Sequence, residues 1–198
     1  MLPVLAMADP LTPSTLLLTG ATGVFGWALA RRLAAQGWTL HLLVRKAARK
    51  LARERIADLR ATAPEAADRM RLLTGDLARP EIFDEEGMRE RVIAESVAVV
   101  HCAVDRRVGA ARDKLFDANV GGTRALLDVC AQMEGGGRFL HISDLSVCGD
   151  ARGVFFESDL LVRQSFRGDF AAETRLLAER RVREARRARW TVLRLAPI

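Results

Sequence analysis

The chain contains no tyrosine among its 198 residues, so any mechanism that needs a phenol as acid, base or nucleophile is excluded. Cysteine is scarce: Cys102, Cys130 and Cys148 are odd in number, far apart and without a CxxC pair. That argues against a disulfide framework and a zinc site, and fits a reducing compartment. Lysine is rarer still, since only Lys46, Lys50 and Lys114 of the 31 basic residues are Lys. No apolar run approaches the roughly 20 residues of a membrane span. Residues 1–8 carry no basic n-region, so a cytoplasmic protein without a membrane partner is expected. What remains is 49% apolar and 28% charged, the profile of one globular domain. A chain of this size hides roughly 70% of its unfolded surface, enough for a core without staples. The net charge of +6 is spread over Arg residues that alternate with Glu and Asp, as in residues 179–184. Solvated helix faces are therefore expected, and nucleic acid is not.

Short apolar runs alternate with helical spacing along the chain. Strands are expected at residues 14–18 (STLLL), 39–44 (TLHLLV), 71–73, 96–101 (SVAVVH), 139–142 and 191–195, and helices at 27–36, 47–62, 111–130 and 171–187. Near-continuous apolar strands separated by helices indicate βαβ crossovers. The expected fold is α/β, a Rossmann-like doubly wound parallel sheet of about six strands in the order 3-2-1-4-5-6, with helices on both faces. Residues 1–13 read as a tail and 14–198 as the domain.

Between the first strand and first helix stands Thr19-Gly20-Ala21-Thr22-Gly23-Val24-Phe25-Gly26. Gly20 permits a tight turn, Gly23 lets backbone approach a pyrophosphate, and Gly26 lets the helix pack on the sheet. Backbone N–H groups from Thr22 to Phe25 then open a helix whose dipole favours an anion. The alternative is a tight βα turn with no ligand. At the end of the second strand, where an acidic residue would hold the ribose 2′-OH of NAD, the chain has Arg45. A guanidinium suits a 2′-phosphate, so NADP is the expected cofactor and NAD the second option. Otherwise Arg45 is a solvated residue at a basic helix start.

With these residues in hand, the chain resembles the extended short-chain dehydrogenase/reductases of the NAD-dependent epimerase/dehydratase superfamily, and within them the thioester-reductase and fatty-acyl-reductase branch. The resemblance runs from Thr15 to the last residue through TGATGVFG (19–26), LVR (43–45), GDLARP (75–80), VVHCAV (99–104), NVGGTRALL (119–127), FLHISDLSVCG (139–149) and AETRLLAE (172–179). It implies that Asp76 and Leu77 lie by the adenine, that Cys102 and Ala103 line the nucleotide cleft, and that Asn119 braces the sheet. It also implies a substrate-binding region after the last strand, which this chain is expected to lack, and a homodimer through helices flanking the fourth and fifth strands. Each residue has a plainer reading: Asp76 as a turn or cap residue, Cys102 as small core, Asn119 as a satisfied polar group.

The family's chemistry rests on Ser/Thr, Tyr and Lys, with the Tyr and Lys four apart on one helix face. Aligning Ala178-Glu179 with the Ala-Glu that follows the family Lys puts Arg175 at the Lys position and Ala171 at the Tyr position; a one-residue slip gives Thr174 and Phe170. Asp144 takes the hydroxyl position, flanked by Ser143 and Ser146. An ionised Asp144 opposes negative charge developing on a substrate oxygen. Asp144 and Arg175 are expected to pair across the vacant Tyr position, unless Asp144 only caps the following turn. Ser143 and Arg175 join the cofactor-binding set. His41, His101 and His141 fall in strands and read as packed, satisfied side chains. Phe155 and Phe156 form either an acyl-binding wall or core. The leading expectation is an NADP(H)-binding reductase-like protein that is inactive or fragmentary as a reductase. Its rival is an active oxidoreductase or epimerase on a thioester, aldehyde or sugar-nucleotide-like substrate, with Asp144 or a water donating the proton and Arg175 holding the ribose. No metal site is expected.

Overall fold

The computed structural model describes residues 12–107 and 109–196, so most of the expected N-terminal tail, residues 1–11, lies outside the described residues. Six parallel strands, β1 (Thr15–Thr19), β2 (Thr39–Val44), β3 (Met70–Thr74), β4 (Ala98–His101), β5 (Arg138–Asp144) and β6 (Arg189–Leu195), form one sheet in the order β3-β2-β1-β4-β5-β6. The central register sets Leu17 between His41 of β2 and Val99 of β4. β1 is apolar at three successive positions because both faces of a parallel sheet are covered.

The two faces bury different sets. Leu16, Leu18, Leu40, Leu42, Ala98 and Val100 pack with residues of α1 (Val24–Ala35), α2 (Arg49–Thr62) and α3 (Pro64–Asp68). Leu17, Leu43, Val99 and Phe139 pack on the other side with residues of α4 (Met88–Glu95), α6 (Gly122–Ala131) and α7 (Phe170–Glu184). α2 shows how a mostly charged segment folds: Ala52, Ile56 and Leu59 form one buried stripe, and the charges stay wet.

Three expectations need correction. The helix expected over 111–130 is interrupted: α5 (Arg112–Phe116) passes through a π-helical turn at Asp117–Gly121 before α6. The extra residue in that turn places Asn119 and Val120 inward, a rephasing that apolar spacing does not reveal. α4 was not anticipated, because only Met88 and Val92 of its eight residues are buried and the rest read as a charged loop. The last helix ends at Glu184, leaving Arg186 and Arg187 outside it.

Candidate active site

The glycine loop is closed so tightly that side chains are excluded at two places. Gly20 has φ of +77°, and a Cβ there would lie 2.7 Å from the backbone of both Cys102 and Ala103. A Cβ on Gly26 would collide with the Gly20 carbonyl oxygen, so helix and turn are in backbone contact. Gly23 donates its N–H to the Gly20 carbonyl at 3.0 Å and serves as the N-cap of α1 without any side-chain cap. The first turn of α1 has no acidic residue. Uncapped N–H groups, a helix dipole and no competing carboxylate suit a pyrophosphate, so the cradle fits a dinucleotide. Val24 is exposed and Phe25 half-buried at this mouth.

The flanking residues differ in what they offer. Arg45 is exposed at the end of β2, where it helps hold the Asp105 carboxyl below its usual range; the main cause there is hydrogen bonding from Arg107. Arg55 of α2 was missed by sequence reasoning. Its Nη1 donates to the Thr22 carbonyl at 3.0 Å and its guanidinium lies 5.8 Å from the Trp27 ring. Asp76 accepts the Ala78 N–H at 3.0 Å, the turn role considered for it. Leu77 packs under Gly122, where a Cβ would meet it at 2.7 Å. Cys102 lies behind Gly20, and burial pushes its thiol up to about 12, so it is no nucleophile at neutral pH.

Behind the cleft runs a relay of buried polar groups. Thr19 Oγ1 accepts the Ala103 N–H at 3.2 Å and lies 2.8 Å from His101 Nδ1. His101 Nε2 lies 3.1 Å from Thr123 Oγ1, which donates to the Asn119 carbonyl at 2.6 Å. One assignment satisfies every group: Thr19 donates to Nδ1, and Nε2–H donates to Thr123. Burial, with His141 nearby, lowers the His101 pKa and keeps the ring neutral as this requires. The Asn119 side chain accepts the Asp105 N–H at 2.7 Å and donates to the Asp105 carbonyl at 3.0 Å and Thr174 Oγ1 at 2.9 Å. Asn119 thus joins the π turn to the segment after β4 and to α7. His41 is satisfied by Glu95 and Ser96. His141 breaks the expectation, because neither of its buried ring nitrogens has a partner.

At the expected catalytic positions the structure contains the Asp144–Arg175 pair. Arg175 Nη1 donates to both carboxylate oxygens, at 2.6 and 2.7 Å, and to Ser146 Oγ. Asp144 also accepts the Ser146 N–H at 2.9 Å, so it caps the turn and pairs at once. Burial pushes the Asp144 carboxyl up, but the Ser146 and Arg175 contacts outweigh it and hold it low. Arg106 Nη2 stands 3.5 Å from the same carboxylate. Ala171 lies four residues before Arg175 on α7. Ser143 turns into the core, where it donates to Glu179 at 3.0 Å, so its hydroxyl is committed. Fully buried Glu179 pairs with Arg183 and Arg194, which in turn donate to the carbonyls of residues 156–159. In that segment Phe156 is exposed and Phe155 lies under the Arg194 guanidinium, so neither is core.

A doubly wound parallel sheet with an uncapped, glycine-lined helix start defines a dinucleotide-binding α/β protein. Residues 18–198 match the NAD-binding family described as "Male sterility protein", and the chain belongs to that family. It is 28% identical over 139 residues to fatty acyl-CoA reductase 1 of Gallus gallus, covering 64% of this chain and 27% of that protein. It is 27% identical over 135 residues to the NRPS-like oxidoreductase fscA of Fusarium equiseti, covering 68% of this chain and 13% of the relative. The terminal R domain from the myxalamid PKS-NRPS pathway has a similar structure, with 26% identity, a TM-score of 0.77 and coverage of 94% of this chain and 50% of that one. The chain therefore spans about a quarter or less of these two relatives and half of that solved chain. It is an NAD(P)-binding, reductase-like member of the extended short-chain dehydrogenase/reductases, in the thioester-reductase branch.

Proposed function

We propose that the chain binds NADP(H) and lacks the proton-transfer machinery of its reductase relatives. When bound, the coenzyme supplies a hydride donor or acceptor at its nicotinamide. The residues of this chain would do the holding: the N–H groups of Thr22, Val24 and Phe25 at the pyrophosphate, Arg45 and Arg55 near the 2′-phosphate, and the Cys102–Ala103 backbone along the cleft. The observation that carries the reading is the set Asp144, Ala171 and Arg175. A carboxylate tied to a guanidinium has no proton to give at neutral pH, and Ala171 has no donor at all. General acid catalysis is worth about 10²- to 10⁴-fold, and nothing at these positions replaces it.

Paired calorimetric titrations with NADPH and NADH test the coenzyme half. NADPH is expected to bind about tenfold or more tightly, from charge-assisted bonds to the 2′-phosphate, and Arg45→Gln is expected to erase the difference. Absorbance of NADPH mixed with acyl thioesters and aldehydes tests the other half, with no oxidation expected. Turnover that disappears in Asp144→Ala would overturn it.

A further inference from the structure

One arginine of α2 turns inward where its neighbours face water. Arg49, Lys50 and Arg53 are exposed, whereas Arg55 is half-buried and reaches the glycine turn. Its Nη1 donates to the Thr22 carbonyl at 3.0 Å, and its guanidinium stands 5.8 Å from the Trp27 ring of α1. Among the described residues no carboxylate pairs with it: on the same helix Glu54 pairs with Lys50, and Asp68 of α3 pairs with Arg60. A full positive charge therefore stands behind the turn.

The carbonyl that Arg55 holds belongs to a peptide tied at both ends. The N–H of that peptide, on Gly23, donates to the Gly20 carbonyl at 3.0 Å. Gly23 is also the N-cap of α1, and its own carbonyl accepts the Trp27 N–H at 3.0 Å. The Thr22–Gly23 peptide thus joins the turn to the helix start. Nothing in glycine itself stops such a peptide from turning over. A turned peptide would lose the Gly20 contact and aim a carbonyl oxygen into the turn, where it repels an anion. A charged donor opposes that rotation, because its hydrogen bonds are roughly twice as strong as neutral ones, and the Trp27 ring limits where the guanidinium can go.

We infer that Arg55 is a positioning residue for dinucleotide binding. It fastens the Thr22–Gly23 peptide to α2, so that the N–H groups of Thr22, Val24 and Phe25 are set for the pyrophosphate before the ligand arrives. Preorganisation of this kind raises affinity by removing an ordering cost. The role is separate from contact with a 2′-phosphate, because the Nη1 donor is spent on the turn. It rests on the reading that a dinucleotide occupies the glycine turn, and it serves NADPH and NADH alike.

ADP-ribose carries the pyrophosphate without a 2′-phosphate, so it isolates this role. In calorimetry Arg55→Gln is expected to weaken ADP-ribose about tenfold, and NADPH by at least as much. Arg53→Gln removes the same charge from an exposed position on the same helix and is expected to leave both affinities unchanged. The unliganded unfolding midpoint of Arg55→Gln is expected within about 4 °C of wild type, which separates positioning from folding. A loss confined to NADPH would make Arg55 a 2′-phosphate contact, an equal loss in Arg53→Gln would make the effect one of net charge, and a much lower midpoint with ADP-ribose affinity intact would make the residue purely structural. Each of these results overturns the inference, as does an Arg55→Gln chain that matches wild type throughout. Failure of the wild-type chain to bind ADP-ribose, NADPH and NADH overturns the coenzyme reading together with it.

Discussion

Asp144 and Arg175 are worth more together than either is alone, because removing one strands the other in a largely buried site. Arg175→Ala leaves Asp144 with the Ser146 N–H and the distant Arg106, and a loss of about 2 kcal/mol is expected, below the 3–5 kcal/mol of buried pairs broken with no partner left. The double variant Asp144→Ala/Arg175→Ala should lose less than the sum of the single variants. Urea unfolding of the three variants measures the coupling, and simple additivity would deny it. His141 poses the opposite problem. Only 3% exposed and with no partner on either nitrogen, it has its pKa driven by burial from 6.5 down to about 4. A base whose folded pKa is depressed binds fewer protons in the folded state than in the unfolded state. Keeping the ring neutral therefore adds no protonation cost above about pH 6.5, and that cost grows as the pH falls toward 4. The single group accounts for about 3 kcal/mol across that window. His141→Leu should flatten the fall in stability between pH 7 and pH 5, with little loss at pH 7, where the orphaned nitrogens are the only polar groups removed. An unchanged pH profile would show that the ring finds a partner.

Among the elements, the turn from β1 into α1 was readable in advance, because glycine has few substitutes where backbone meets backbone. Gly26→Ala pushes a methyl group into the Gly20 carbonyl, which no side-chain rotation relieves. The loop must open, and dinucleotide affinity is expected to fall at least about 100-fold, a loss of about 3 kcal/mol. Calorimetry against Gly121→Ala, at a helical φ of −59° where a Cβ comes no closer than 3.9 Å to any neighbour, provides the control for a general glycine effect. The π turn was not readable. Its residues Asp117–Gly121 carry ordinary helical composition, and the rephasing exists only because Asn119 finds Asp105 and Thr174 across the interior. Arg55 escaped notice for a similar reason. One Arg among many on α2 looks solvated until the fold brings the Thr22 carbonyl to it. Asp144 was legible as a pairing residue through its alignment with a hydroxyl position, but its second cation, Arg106, comes from another loop and has no signal along the chain.

For the molecule as a whole, the parallel sheet was legible because the central strands β1, β2 and β4 are too apolar to face water on either side, while the edge strand β6 is largely exposed. The strand order reverses direction between β1 and β4, and the two halves of the sheet meet along that single seam. The glycine turn abuts Cys102 and Ala103 across the seam, so a ligand at the turn touches both halves and binds only when they are assembled. Such a ligand stabilises the folded chain by mass action, by about 2.7 kcal/mol at a hundred times its dissociation constant. For a chain of this size each kcal/mol moves the unfolding midpoint by about 2–4 °C. Saturating NADPH is therefore expected to raise Tm by roughly 5–10 °C, NADH at the same concentration by less, and neither to raise Tm in Gly26→Ala. Thermal unfolding followed by circular dichroism at graded coenzyme concentrations checks this. A midpoint that ignores NADPH in the wild-type chain would mean that the seam, though shaped for a dinucleotide, does not hold one.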